Sequence, residues 1–385
     1  MERRIKKFID DRKKEDLLRS LSEVTYSARG GMVVDGKEYI NFSSNDYLSL
    51  ASHPKLKAAA TGALKTCVGT SASRLMTGST SLHHVLEEKI SEFKGKPAAL
   101  VFNSGYQANV GIISVLAGRG DCIFSDRLNH ASIVDGARMS GAEVFRFRHN
   151  DTEHLEELVK KERPNHKGAL IVTETVFSMD GDAAPLEEIV RIGKGNDCLL
   201  MVDEAHATGI FGAGGSGMAE EKKVTDDIDI IMGTFSKALG SFGAYAAVSP
   251  RMREYLVNAC RSFIYSTSLP PSVIAASIAA LEIVKDEPQR RETLTESARR
   301  FRENLTEKGF DTRGSSQIIP VITGENSRTV EMSRLLKKKG YWVTPVRPPT
   351  VPKGEARLRI SLSFAHSRDV LDSFVDDLVE VNSDQ

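Results

Sequence analysis

One recurring pattern constrains this chain more than any other feature. Ala98 to Phe102, Cys122 to Ser125, Ala169 to Val172, Leu199 to Val202 and Ile228 to Met232 are short apolar runs, each followed by Gly, Thr, Asn or Asp. Helical patterns such as Leu186 to Gly193 lie between several of them. Strands without a polar face must be covered on both sides, and the intervening helices supply the cover, so the pattern predicts a mostly parallel sheet flanked by helices. Ala169 and Leu199 start thirty residues apart, the length of one strand–helix–strand unit. Ligands of such sheets bind beyond the carboxyl ends of the strands. The polar residues closing the runs are therefore the first candidates for function.

The flanking regions read differently. Ile5, Phe8, Ile9, Leu17, Leu18 and Leu21 recur among charges at helical spacing, which predicts an amphipathic helix lying on another surface. Gly30-Gly31 and Asp35-Gly36 are turn signals around Met32–Val34 and Glu38–Phe42, a candidate hairpin. From about Asp286 a charged helical stretch, Gln289 to Lys308, precedes strand-like Ile318–Ile322, Trp342–Val346 and Arg357–Leu362, with helical Thr329–Lys339 and Asp369–Val381 around them. The expected division is 1–45 as an N-terminal helix and hairpin, 46–285 as a large ligand-binding domain and 286–385 as a smaller C-terminal α/β domain. A chain of 385 residues accommodates both domains.

Charge and composition exclude several classes. Lys+Arg and Asp+Glu both number 52, so the basic excess of a nucleic-acid binder is missing. No run of 18 apolar residues exists and Met1–Asp16 is charged throughout, so neither a membrane span nor a signal peptide is expected. Cys67, Cys122, Cys198 and Cys260 lie far apart; no metal site is expected, and a reducing, cytoplasmic location is. Gly212, Gly214 and Gly217 match a dinucleotide fingerprint but stand nine residues beyond the nearest strand and are followed by Glu220-Glu221-Lys222-Lys223, the wrong context for that site. Asp203-Glu204-Ala205-His206 spells a helicase motif, yet no phosphate-cradling G-x-x-x-x-G-K-[ST] loop accompanies it.

The closing residues form one coherent set. Asp203 closes a run, and His206 follows three residues later; Thr234 follows another run, and Lys237 comes three residues after it, among small residues. A lysine near an acid and a hydroxyl at neighbouring strand ends suits pyridoxal 5'-phosphate (PLP). The lysine forms a Schiff base with its aldehyde, and the acid keeps the pyridine nitrogen protonated. Asn103-Ser104-Gly105-Tyr106, between a strand and the helical stretch from Gln107 to Leu116, offers helix N-terminal amides to the phosphate.

On these residues the chain resembles the α-oxoamine synthases, PLP-dependent acyltransferases of fold type I. Thr234 to Gly243 is similar to their lysine attachment signature, and the likeness extends through Asn41–Leu48, Asp126–Ser132, Val176–Gly181, Ile264–Pro271 and Arg347–Pro352. The resemblance implies a cytoplasmic homodimer with its active site at the subunit interface. Lys237 is implied as cofactor attachment point and base, Asp203 as partner of the pyridinium, and His206 as donor to the ring oxygen. His130 is implied as stacking partner and substrate contact, Ser178 as a donor near the ring oxygen, and Gly105, Tyr106 and Thr234 as phosphate contacts. Ser266 and Thr267 are implied as phosphate contacts from the partner subunit. Asn45, Arg19 and Thr350 are implied as substrate contacts. Arg359 is implied as the carboxylate clamp, although Arg357 shares its strand face. Glu204 and Ala207 depart from the family's usual Asp and Gly, and Glu204 is expected to have no consequence. Arg347–Pro352 and Tyr265–Ser268 favour members that join L-alanine to a pimeloyl thioester, carried on CoA or a carrier protein, in biotin biosynthesis. Glycine with acetyl-CoA is the alternative substrate pair, and a non-catalytic partner subunit is the alternative of another class.

Overall fold

The computed structural model describes residues 1–26 and 31–383. Gly30 of the expected turn lies outside the described residues. The chain forms two compact units: Leu48–Ser178 with Ala183–Glu292, and Met1–Tyr47 with Met179–Asp182 and Thr293–Gln385.

The larger unit is built on a seven-stranded sheet. Its order is Ala98–Phe102, Ala244–Val248, Ile230–Thr234, Leu199–Asp203, Ala169–Glu174, Cys122–Asp126 and Glu143–Phe147. Only Ala244–Val248 runs against its neighbours. Helices Gly105–Leu116, Ala131–Ser140, Thr152–Glu162 and Leu186–Gly195 connect or flank these strands. The apolar runs are buried as expected, with Leu100, Ile112, Ile123, Ile133 and Met201 in one core cluster. Each such side chain contributes roughly 1.5–3 kcal/mol on burial.

Register places the strand ends together. Glu174 aligns with Asp203, Asp203 with Met232, and Thr234 and Phe102 both with Ala244. The expected strand Ile228–Met232 begins instead at Ile230. Residues Thr225–Asp227 form a 3-10 turn, and Asp229 uses its amide and side chain to bond Leu200. Thr234 is thus the last residue of the strand itself. Sequence patterning missed Glu143–Phe147, a polar edge strand, and Ala244–Val248, whose alanines carry little strand preference.

In the smaller unit Ile318–Gly324, Ala356–Ser361 and Thr344–Val346 form an antiparallel sheet, and Thr25–Tyr26, Met32–Val34, Lys37–Asn41 and Tyr341–Trp342 form a second sheet. The expected single strand Trp342–Val346 is therefore divided between two sheets. Ser43 marks the division: its hydroxyl donates to Trp342 O at 3.2 Å and accepts from Thr344 N at 2.8 Å. Phe374 of helix Arg368–Ser383 packs on Phe42 and Tyr341, with centroids 4.4 and 5.0 Å away.

The N-terminal helix departs from expectation. It spans Glu2–Lys14 and buries no residue, so Ile5 and Phe8 stay exposed. Leu17, Leu18 and Leu21 fall beyond its end because the chain turns at Asp16, which has φ 53°. No helix among the described residues is long and apolar enough to cross a membrane.

Candidate active site

Four adjacent strand ends of the larger unit define the site. Asp203 is buried at the end of its strand. Its Oδ2 accepts from Asn109 Nδ2 at 2.8 Å and its Oδ1 from Ala205 N at 2.9 Å. Asn109 lies one turn into helix Gly105–Leu116 and also donates to Ser132 Oγ at 2.9 Å. Both oxygens of the acid are thereby oriented. Thr234 is buried too, and its hydroxyl has no hydrogen-bond partner among the described residues. An unanswered buried hydroxyl is unfavourable by itself and marks a place where a polar ligand group fits.

Beside Thr234 the helix Gly105–Leu116 begins, capped by Ser104 Oγ accepting from Gln107 N at 3.2 Å. A Cβ on Gly105 would stand 2.8 Å from Thr234 Cγ2, so glycine keeps the helix start and the Thr234 hydroxyl in one cradle. The helix N-terminus supplies amides and a positive dipole end. These features fit the phosphate of PLP.

Lys237 is half-buried in a tight loop just after Thr234. Phe235 N to Gly243 O (2.9 Å), Ser241 N to Phe235 O (2.8 Å) and Gly240 N to Lys237 O (2.9 Å) close that loop. Gly240 takes φ 60°, and a Cβ there would lie 2.4 Å from Ala51 N. His130 caps the helix Ala131–Ser140 through Nδ1, 3.2 Å from Ser132 N. The residue is exposed as a whole, but desolvation of its ring by surrounding protein lowers its pKa. The Asp203 carboxylate opposes that fall and Lys237 adds to it, so both charges act on the ring. His206 is buried three residues beyond Asp203, and Ser178 is half-buried in the loop after Ala169–Glu174. Tyr106 is exposed and hydrogen-bonds Asp135. Ser266 accepts from Gln107 Nε2 at 3.4 Å and Thr267 O accepts from Asn103 Nδ2 at 2.6 Å within the same chain, beside the capped helix start.

Sequence reasoning missed Glu174. It ends the neighbouring strand, is buried, and accepts the His130 amide at 2.7 Å. Burial first, and then the Asp203 carboxylate, push its pKa from 4.5 up to about 8, so at neutral pH it carries a proton. The folded protein then binds more protons than the unfolded chain between 4.5 and about 8. Stability contributed by this group is full below that window and declines as pH rises through it. Glu174→Gln is expected to remove the decline. Thermal melts of PLP-free protein across the window check this, and equal slopes for both proteins contradict it.

The smaller unit holds the remaining residues. Arg359 donates to Ser361 Oγ at 2.6 Å, Asn45 Oδ1 at 3.2 Å and Tyr47 Oη at 3.4 Å. Arg357 is fully buried and its fork is committed to carboxylates: Asp180 Oδ1 at 2.5 Å and Glu355 Oε2 at 2.8 Å. Arg19 Nη2 donates to the hydroxyl of Thr350 at 2.9 Å, and both residues are exposed.

Comparison with known proteins places this geometry. The family described as aminotransferase class I and II matches residues 37–378. A protein of Citrifermentans bemidjiense named 8-amino-7-oxononanoate synthase is 52% identical over 357 residues, covering 91% of each chain. The chain belongs to the 8-amino-7-oxononanoate synthase family. A Geobacter sulfurreducens protein of the same name is 50% identical over 94% of each chain. Among solved structures, serine palmitoyltransferase of Sphingomonas wittichii superposes with a TM-score of 0.94 at 33% identity, covering 99% of this chain and 98% of that one. An S. paucimobilis serine palmitoyltransferase holding PLP and myriocin gives 0.94 at 32% identity, with the same coverage. The 8-amino-7-oxononanoate synthase of Francisella tularensis gives 0.77 at 28% identity, covering 90% and 98%. The fold expected from the sequence, a type I PLP-dependent transferase, is the fold of this family.

Proposed function

We propose that this protein is a PLP-dependent acyltransferase of biotin biosynthesis. It condenses L-alanine with a pimeloyl thioester and releases CO₂, free thiol and 8-amino-7-oxononanoate. The observation that carries the reading is the set of adjacent strand ends in the larger unit. Asp203 is held by Asn109, the buried Thr234 hydroxyl lies beside a helix N-terminus, and Lys237 follows on a closed loop.

Bound at Lys237, PLP supplies the electron sink for negative charge developing at the amino acid Cα. Lys237 Nζ holds the cofactor, and once displaced by alanine it takes the proton from Cα. Asp203 Oδ2, aimed by Asn109, keeps the proton on the pyridine nitrogen. Thr234 Oγ1 and the amides of Gly105 and Tyr106 bind the phosphate, with Ser266 and Thr267 contributing across a homodimer interface. His130 stacks on the ring and orients the incoming thioester carbonyl, while His206 and Ser178 donate to the ring oxygen. Arg359, supported by Asn45 and Tyr47, binds the alanine carboxylate; Arg19 and Thr350 contact the acyl donor. The protein's share is orientation and electrostatics tuned to the transition state.

A thiol-release assay tests the substrate pair by crossing alanine, glycine and serine with pimeloyl-, acetyl- and palmitoyl-CoA. Turnover is expected to be fastest with alanine and the pimeloyl thioester. Fast turnover confined to glycine with acetyl-CoA, or to serine with palmitoyl-CoA, contradicts the assignment.

A further inference from the structure

Glu204, directly after Asp203, meets Lys94 at the end of helix Ser81–Lys94. Lys94 Nζ donates to Glu204 Oε2 at 2.5 Å, and both side chains are about 1% exposed. The ammonium also donates to Thr208 Oγ1 at 3.2 Å and to Ser216 O. Glu204 Oε1 accepts from Ala219 N at 2.7 Å. The main chain of Glu204 is equally committed. Its amide donates to Met232 O at 2.7 Å, and its carbonyl accepts from Ala207 N and Thr208 N at 2.9 Å each. The turn Glu204–Thr208, which carries His206 and continues from Asp203, is thus gripped at both ends by one ammonium.

The glycine loop that imitated a nucleotide fingerprint belongs to the same arrangement. Gly217 takes φ 139°, and a Cβ there would lie 2.1 Å from Glu204 Oε2. The amides of Gly214 and Ser216 are both taken by Glu220, at 2.9 Å. The loop closes over the ion pair and is tied down by the protein's own glutamate. A buried ion pair is a poor way to gain stability alone, because apolar residues of similar size often serve as well. Its attachments here lead to the two residues that face the cofactor ring.

We infer that Lys94 and Glu204 are positioning residues that fix the Asp203–His206 turn for PLP. The inference rests on the PLP reading above. It is tested on the full-length chain with Lys94→Met, with Lys94→Met/Glu204→Leu and with Thr208→Val. The readouts are thermal midpoint, PLP dissociation constant from the visible absorption band, and kcat and KM for alanine. Lys94→Met is expected to lower the midpoint because it strands a buried carboxylate. The double variant is expected to regain the midpoint yet bind PLP at least ~10-fold more weakly, the scale of losing a supporting outer contact. Its kcat is expected to fall more than its KM rises. Thr208→Val keeps both charges and decides the matter should the double variant fail to fold. Its PLP affinity is expected to drop about threefold, the size of one hydrogen bond. A folded double variant, or Thr208→Val, with wild-type PLP affinity and absorption overturns the inference. Failure of the wild-type chain to bind PLP overturns instead the functional reading beneath it.

Discussion

Lys237→Ala protein is expected to lose at least ~10³-fold in turnover while staying folded and still binding PLP non-covalently. Two roles vanish together, the attachment that orients the cofactor and the amine that takes the Cα proton. The phosphate cradle at Gly105 and Thr234 and the Asp203–Asn109 pair do not depend on Lys237. Lys237 itself is half-buried in a loop closed by backbone bonds, which its truncation leaves in place. The expected signature is an unchanged melting midpoint, a shifted visible band and near-complete loss of thiol release. An Ala variant retaining a tenth or more of the activity would show that another group removes the proton.

Arg359→Met and Arg357→Met are expected to fail in opposite ways, although the two residues share one strand face. Arg359 bonds only neutral oxygens of Ser361, Asn45 and Tyr47 among its measured partners, so its charge is disposed toward an anionic ligand. Its loss should raise KM for alanine by about 100-fold or more, the scale of removing one partner of a buried charged pair, with little change in melting. Arg357 instead joins Asp180 and Glu355 in the interior. Removing it strands those carboxylates and should lower stability by ~3 kcal/mol or more. Denaturant melts beside steady-state kinetics separate the outcomes. The reverse pattern would assign the alanine carboxylate to Arg357.

The sequence could choose strands but not partners. Apolar runs ending in polar residues located the central strands and, through them, Asp203, Thr234 and Lys237, because periodicity and local chemistry are written in consecutive residues. Glu174, Asn109 and Lys94 carry no such signal. Each is an ordinary residue type within a strand or helix, and its role arises only when register sets Glu174 beside Asp203, or when a helix from elsewhere delivers Asn109 or Lys94. The ambiguity between Arg357 and Arg359 is of the same kind, since alternation fixes a face and not what stands opposite. Glu204, which looked inconsequential beside the pyridine partner, gains its meaning from Lys94, 110 positions earlier in the chain. The N-terminal helix shows the converse limit: a helical stripe of Ile5, Phe8 and Ile9 is real, yet periodicity does not say that the stripe is buried.

The most direct test of the account is where PLP attaches. The wild-type chain is loaded with PLP, reduced with borohydride and digested, and the pyridoxyl-bearing peptide is sequenced by mass spectrometry. The account predicts the label on Nζ of Lys237 within the Thr234–Gly243 segment. Label on any other lysine, or none after loading, would contradict it.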